Sequence, residues 1–147
     1  MQDVKGCVAK CLIVNSDNHI LLLTIGEHTK FPHLSYAADL PGGIIEHNET
    51  ARDGVMREIK EETGIDVLPG ALHEVYRAKT VVPDIGALVE KRLYIARTKT
   101  AEVQLSYEHE SYRWVTLDEI LDTTFTGFYF DDFIREALRC VVNERLV

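Results

Sequence analysis

LPGGIIEHNETARDGVMREIKEETGI, Leu40 to Ile65, is the stretch around which the rest of the chain is organised. It opens on a Pro41-Gly42-Gly43 turn and continues into a helix that stops at Gly64, because glycine readily takes the left-handed backbone that ends helices. A turn of roughly 100° per residue puts Ala51, Val55 and Ile59 on one apolar stripe with Met56 at its margin. Glu58 and Glu62 project along that same stripe, and Glu61 lies beside them. Glu58 pairs with Glu61 at i,i+3 and with Glu62 at i,i+4, spacings at which like charges repel. All three crowd the helix C-terminus, whose dipole disfavours negative charge. Something positive should sit among them, and a hard divalent cation with oxygen ligands, Mg²⁺ above all, would invert the repulsion.

Taken alone, Arg57-Glu58-Ile59-Lys60-Glu61-Glu62 would read as a solvated helix face with an ordinary Arg57/Glu61 pair. The full spacing changes that reading. Gly43, five residues, Glu49, seven residues, then Arg57-Glu58-Ile59-Lys60-Glu61-Glu62-Thr63-Gly64-Ile65 resembles the Nudix box at all nine of its constrained positions. The box covers about a sixth of the chain. Many members carry Gly before the first box glutamate, where this chain has Asn48. Asn tolerates a left-handed backbone and is a good N-cap, so the loop-to-helix geometry should survive.

The resemblance implies a Nudix-type α/β/α sandwich, a mixed sheet flanked by helices. It also implies metal-dependent hydrolysis of a phosphoanhydride, with Mg²⁺ as the cofactor and Mn²⁺ as its substitute. Carried over residue by residue, the metal ligands are Glu58, Glu61 and Glu62 with the Gly43 carbonyl, and Glu49 is a supporting metal position. Arg57 would pin a glutamate through charge-assisted hydrogen bonds. The general base is either Glu58 or a carboxylate from the segment Glu108 to Val115, which resembles the stretch that supplies one in several nucleotide-cleaving members. Within it Glu108 matches best by its distance from Trp114, and Glu110 is second.

Composition sets outer bounds. A chain of 147 residues, 46% hydrophobic, suits one globular domain with a genuine core. A formal net charge of −8 argues against general nucleic-acid binding, which needs Lys and Arg to displace counterions. Small nucleotides remain open, since a metal-filled site reverses the local sign. No apolar run is long enough to span a membrane, and the N-terminus lacks a signal-peptide layout, so the cytoplasm is the expected compartment. Cys7 and Cys11, four apart on an expected strand, stand roughly 13 Å from each other, too far for a disulfide. The six histidines are scattered with no His-Glu-x-x-His, and His33, His47 and His109 lie nearest the inferred site.

Along the chain, Gly6 to Val14 and His19 to Ile25 read as two strands around the turn formers Asn15 to Asn18. Gly26 to Asp39 reads as a loop, in which Phe31, His33 or Tyr36 is placed to stack on a base. Ala71 to Val82 and Leu88 to Thr98 read as a hairpin around Pro83 to Gly86, whose tip could overhang the site. Tyr112 to Val115 reads as a last strand, Leu117 to Leu121 as one helical turn, and Gly127 to Asn143 as a final helix with Phe128, Tyr129 and Phe130 as core packing. The apolar face of that helix is also a candidate homodimer interface.

Three functional expectations follow. The first is a Mg²⁺-dependent hydrolase of a nucleoside diphosphate linked to a group X, such as a sugar or second nucleotide. The second is a nucleoside triphosphate pyrophosphohydrolase. The third is a ligand-sensing or protein-binding Nudix module, against which the intact carboxylate set argues.

Overall fold

The structure, a computed structural model, describes residues 3–82, 86–100, 102–122 and 131–147. The elements in chain order are β1 (Cys7–Val14), β2 (Ile20–Ile25), β3 (Ala38–Asp39), β4 (Gly42–Ile44), α1 (Ala51–Thr63), β5 (Leu72–Val82), β6 (Ala87–Arg97), β7 (His109–Val115), α2 (Leu117–Leu121) and α3 (Asp131–Asn143). Among the described residues no helix is long and apolar enough to cross a membrane. The Pro83–Ile85 part of the hairpin tip and the Gly127 to Phe130 start of the expected final helix lie outside the described residues.

β1 is the centre of a mixed sheet whose two faces are both covered, which is why its sequence is almost continuously apolar. Its odd positions Ala9, Cys11 and Ile13 pack with Val55 and Ile59 of α1. Leu12 and Val14 pack on the other face with Phe133, Ile134, Ala137 and Leu138 of α3. The result is the expected α/β/α sandwich. Val55 and Ile59 are fully buried, each contributing about 1.5–3 kcal/mol of apolar transfer.

One edge of β1 runs parallel to β6 along its whole length, and β6 pairs in turn with β5. The other edge splits. Val14 meets Ile20 of β2, but Val8, Ala9 and Lys10 lie opposite Ile44, Gly43 and Gly42 of β4. β2 swings away to take β3 on one side and β7 on the other. The Pro-Gly-Gly turn is thus wedged between two central strands, with the Cys11 N–H donating to the Pro41 carbonyl at 2.8 Å. That opening holds the site.

Helix α1 begins one residue after Thr50, whose hydroxyl accepts the Asp53 N–H at 3.1 Å. Asn48 therefore does not cap the helix, and it is not among the non-glycine residues with positive φ. The Thr-x-x-Asp spacing closes the hydrogen bond that the loop residue is too far away to make. Thr50→Ala should cost about 1 kcal/mol, read as a lower urea midpoint at unchanged slope. At the other end Gly64 takes φ 74° and returns its N–H to the Lys60 carbonyl, as expected.

Two segments differ from the sequence expectation by more than one residue. The Gly26 to Asp39 segment carries a short 3₁₀ turn at Pro32–Leu34 and ends in β3. The last strand begins at His109 rather than Tyr112, because pairing with β2 recruits a polar start that propensity would assign to a loop. Ser111 lies opposite Thr24 and His109 opposite Ile25, so Glu110 is the extra residue of a bulge. His109 is turned inward and buried, while Glu110 is exposed.

Candidate active site

The chain after the glycine turn brings α1 back over β4, so that the last two turns of α1 face the opening in the sheet. The segment before β7 crosses the C-terminus of α1, where Gln104 and Ser106 donate their N–H groups to the Thr63 and Glu62 carbonyls. These connections bring box residues and the Glu108–His109 pair to one cleft of about 920 Å³. Glu58, Glu62 and Glu108 line it together with Gly43.

Arg57 organises the carboxylates. Its Nε and Nη2 grip Glu49 at 3.1 and 2.7 Å, a bidentate pair, while Nη1 donates to Glu58 at 3.1 Å and Glu61 at 3.2 Å. Glu49 also accepts the Glu46 N–H at 2.8 Å, and these bonds hold its carboxyl down at about 2. A guanidinium gripping two oxygens of one partner is among the strongest charge-assisted arrangements. Glu49 does not line the cleft. Its position makes it the anchor for Arg57.

The positive group expected among the box glutamates is thus partly Arg57 itself, but one cation faces Glu49, Glu58 and Glu61 at 3.2 Å or less. Burial pushes the Glu58 carboxyl up, and the neighbouring charges of Glu61 and Glu108 add to it against the pull of Arg57. Burial also pushes Glu62 up, to about 8, with Asp39 and Glu58 adding to the rise and Lys10 and the Gly42 N–H opposing it. Such a cluster is short of positive charge. Its donors are oxygen only, and a Cβ on Gly43 would stand 2.9 Å from the Glu58 carboxyl carbon, so glycine leaves the space that carboxylate occupies. A hard divalent cation fits this donor set. Glu61 sits at the edge, its side chain 57% exposed and outside the cleft lining.

Behind the carboxylates lies a buried group of which sequence reasoning singled out Glu62 and His109 but missed Lys10 and Asp39. Lys10 Nζ is 2.9 Å from Asp39 Oδ1 and donates to the Gly42 carbonyl at 3.3 Å. His109 stands between two carboxylates, Nε2 3.1 Å from Asp39 Oδ2 and Nδ1 3.3 Å from Glu62 Oε2. Glu62 Oε1 accepts the Gly42 N–H at 3.0 Å. Burial opposes ionisation of Asp39, but Lys10 and His109 outweigh it and hold its carboxyl below the ordinary value. One signal for Lys10 was present: a lysine in a strand that is otherwise apolar on both faces must be paired.

Of the expected substrate-binding residues, Phe31 lines the cleft, with Lys30 and His28. The Phe31 ring lies 5.5 Å from that of His28 and 5.3 Å from Lys30 Nζ. His33 is exposed on the 3₁₀ turn, and Tyr36 is 59% exposed with φ 63°; neither lines the cleft. The turn in the chain at Pro32 directs them away. Glu110, displaced outward by its bulge, is likewise absent from the lining, whereas Glu108 is present.

A family model, NUDIX domain, matches residues 5–133. The chain belongs to the Nudix family. Its box is the β4–α1 segment just described. Among solved structures, the MutT protein from Methanosarcina mazei Go1 superposes with a TM-score of 0.81 at 27% identity, over 99% of this chain and 98% of that one. A MutT-like protein of Streptomyces ambofaciens is 38% identical over 82 residues, 56% of this chain and 49% of its own length. The asymmetrical bis(5'-nucleosyl)-tetraphosphatase of Rattus norvegicus is 33% identical over 91 residues, 54% of this chain and 55% of its own length. This Nudix chain spans about half the length of these two relatives.

Proposed function

We propose that the chain is a Mg²⁺-dependent hydrolase that cleaves the pyrophosphate linkage of a nucleoside diphosphate joined to a second moiety. The observation that carries the reading is the convergence of Glu58, Glu62 and Glu108 on one cleft with Gly43. The rat relative, named for cleavage of a dinucleotide, supports the substrate class. So does the cleft volume of about 920 Å³, near the upper end for small-molecule pockets and suited to a ligand bulky at both ends.

Glu58, Glu61 and Glu62, with the Gly43 carbonyl, would hold the cation, and Arg57 keeps the first two from splaying apart. The bound metal would neutralise phosphate charge and lower the pKa of a water to the range where it can attack. Glu58, its carboxyl pushed up by burial, and Glu108, on the lining of the same cleft, would accept a proton from that water. Phe31 offers an aromatic face to a base. Lys30 supplies positive charge along the wall for the remaining phosphates.

The test is a panel of nucleotide sugars, dinucleotides and nucleoside triphosphates with Mg²⁺, read as phosphate released with added phosphatase or pyrophosphatase. Phosphate appearing only with phosphatase supports the proposal. Release with pyrophosphatase selects triphosphate pyrophosphohydrolysis, because only that reaction forms free pyrophosphate, and silence across the panel favours a binding module. Glu61→Gln should lower turnover by about 10²-fold or more at unchanged melting temperature. Near-native turnover would remove Glu61 from the ligand set.

A further inference from the structure

The buried contacts behind the carboxylates close into a ring. Lys10 of β1 donates to the Gly42 carbonyl, and Gly42 of β4 gives its N–H to Glu62 of α1. Glu62 faces His109 of β7, which meets Asp39 of β3, and Asp39 returns to Lys10. Five elements each supply one member, and all five members line the cleft. We propose that Lys10, Asp39 and His109 are positioning residues that hold the Glu62 carboxylate in the orientation needed to bind the metal, an inference that rests on the metal-dependent reading above.

Two alternatives are weaker on the geometry. Asp39, Glu62 and His109 lie close enough to hold an ion themselves, with ligand atoms all within 4.8 Å of one another. However, both ring nitrogens of His109 lie within 3.3 Å of carboxylate oxygens, and the Lys10 ammonium already stands against Asp39. The place of a cation there is filled by lysine. The ring could also be a stitch across the split in the sheet. A stitch needs no charge, since buried ion pairs are commonly replaced by apolar side chains without loss of stability. Charged members concentrated on the cleft wall make sense if their object is a carboxylate that must stay aimed.

Glu62 can be aimed because its reference point is rigid. Gly42 has φ 137°, and even a Cβ there would fall 2.1 Å from the Ala9 carbonyl oxygen, so the N–H that Glu62 Oε1 accepts cannot drift. Among the described residues the second oxygen has His109 beside it, Nδ1 at 3.3 Å and without a well-directed hydrogen bond. His109 in turn is oriented through Nε2 by Asp39, and Asp39 by Lys10. Partners of this kind fix the ligating group in most metal sites.

The probe is Mn²⁺ alone, its binding followed by the electron paramagnetic resonance of the free ion, with no nucleotide present. His109→Phe keeps a ring and removes both nitrogens; Lys10→Met with Asp39→Leu removes the charge pair together. Each should weaken Mn²⁺ binding by about 10- to 100-fold. His109→Gln, which retains a donor, should recover part of the loss. On a hydrolysed nucleotide, kcat should fall with the metal affinity while KM stays within about 3-fold. A cooperatively melting variant that binds Mn²⁺ within about 2-fold of the native protein overturns the proposal. If His109→Phe does not fold, the double variant and His109→Gln decide it by the same measure. The two readings fail separately: native protein that binds Mn²⁺ but cleaves nothing sinks the hydrolase, and normal Mn²⁺ binding by the variants of an active enzyme sinks the positioning role.

Discussion

Glu58→Gln is expected to lower kcat by about 10²- to 10⁴-fold while leaving the melting temperature unchanged or slightly higher. The amide is nearly isosteric, and its oxygen can still accept the Arg57 Nη1–H that Glu58 Oε1 accepts at 3.1 Å. What disappears is a negative charge that burial and two neighbouring carboxylates already disfavour. Removing it relieves repulsion in the fold. The same change removes a proton acceptor and a hard ligand from the cleft, so activity and stability should move in opposite directions. Steady-state phosphate release at saturating Mg²⁺, set beside a thermal melt of the same sample, makes the comparison. A variant that loses activity and stability in parallel would show that Glu58 acts through folding and would refute its place in the reaction.

Gly42→Ala should be the most damaging single-methyl change to stability, costing about 3–5 kcal/mol from backbone strain and overpacking together. The added Cβ would stand 2.1 Å from the Ala9 oxygen and 2.7 Å from the Lys10 Cα, and neither atom can retreat because both belong to the central strand. The φ of 137° adds strain that any side chain would feel. On a total stability of about 5–15 kcal/mol this is a large share, and little soluble folded protein should remain at physiological temperature. Gly43→Ala is the control. The three atoms nearest its Cβ would all belong to the carboxyl end of Glu58, the closest at 2.9 Å, a flexible group that can swing aside. That variant should melt near the native temperature yet lose activity, because the displaced carboxylate is the one at the cleft. Urea unfolding of both variants separates a glycine needed for the backbone from a glycine needed for the carboxylate.

The box was legible because its requirements are local. Glycine at a turn, a helix stop at Gly64 and an apolar stripe ending in glutamates are set by neighbours a few residues away, and the structure finds Glu62 buried at the end of that stripe. Arg57 was legible for the same reason, and its contacts with Glu49, Glu58 and Glu61 follow from spacing along the same loop and helix. Phe31, His33 and Tyr36 were not separable in the sequence, because which side chain of a loop faces a cleft depends on how the loop is pinned to what lies beneath it. Here the Pro32–Leu34 turn and the pairing of β3 with β2 make that choice. Glu108 and Glu110 differ for a similar reason: a bulge opposite β2 turns alternate residues to opposite sides.

By itself, then, the sequence determined the family through the spacing of its box, and with the family the expected layered architecture, while the grouping of Glu58, Glu61 and Glu62 on one helix follows from contacts within a single segment. Only the tertiary structure decided that Lys10, Asp39 and His109, separated by up to 99 positions, meet behind Glu62. Their meeting depends on β1 and β2 parting to admit the glycine turn, and on a bulge in β7. Strand pairing of that kind is fixed by long-range packing, and short-range patterns carry no record of it.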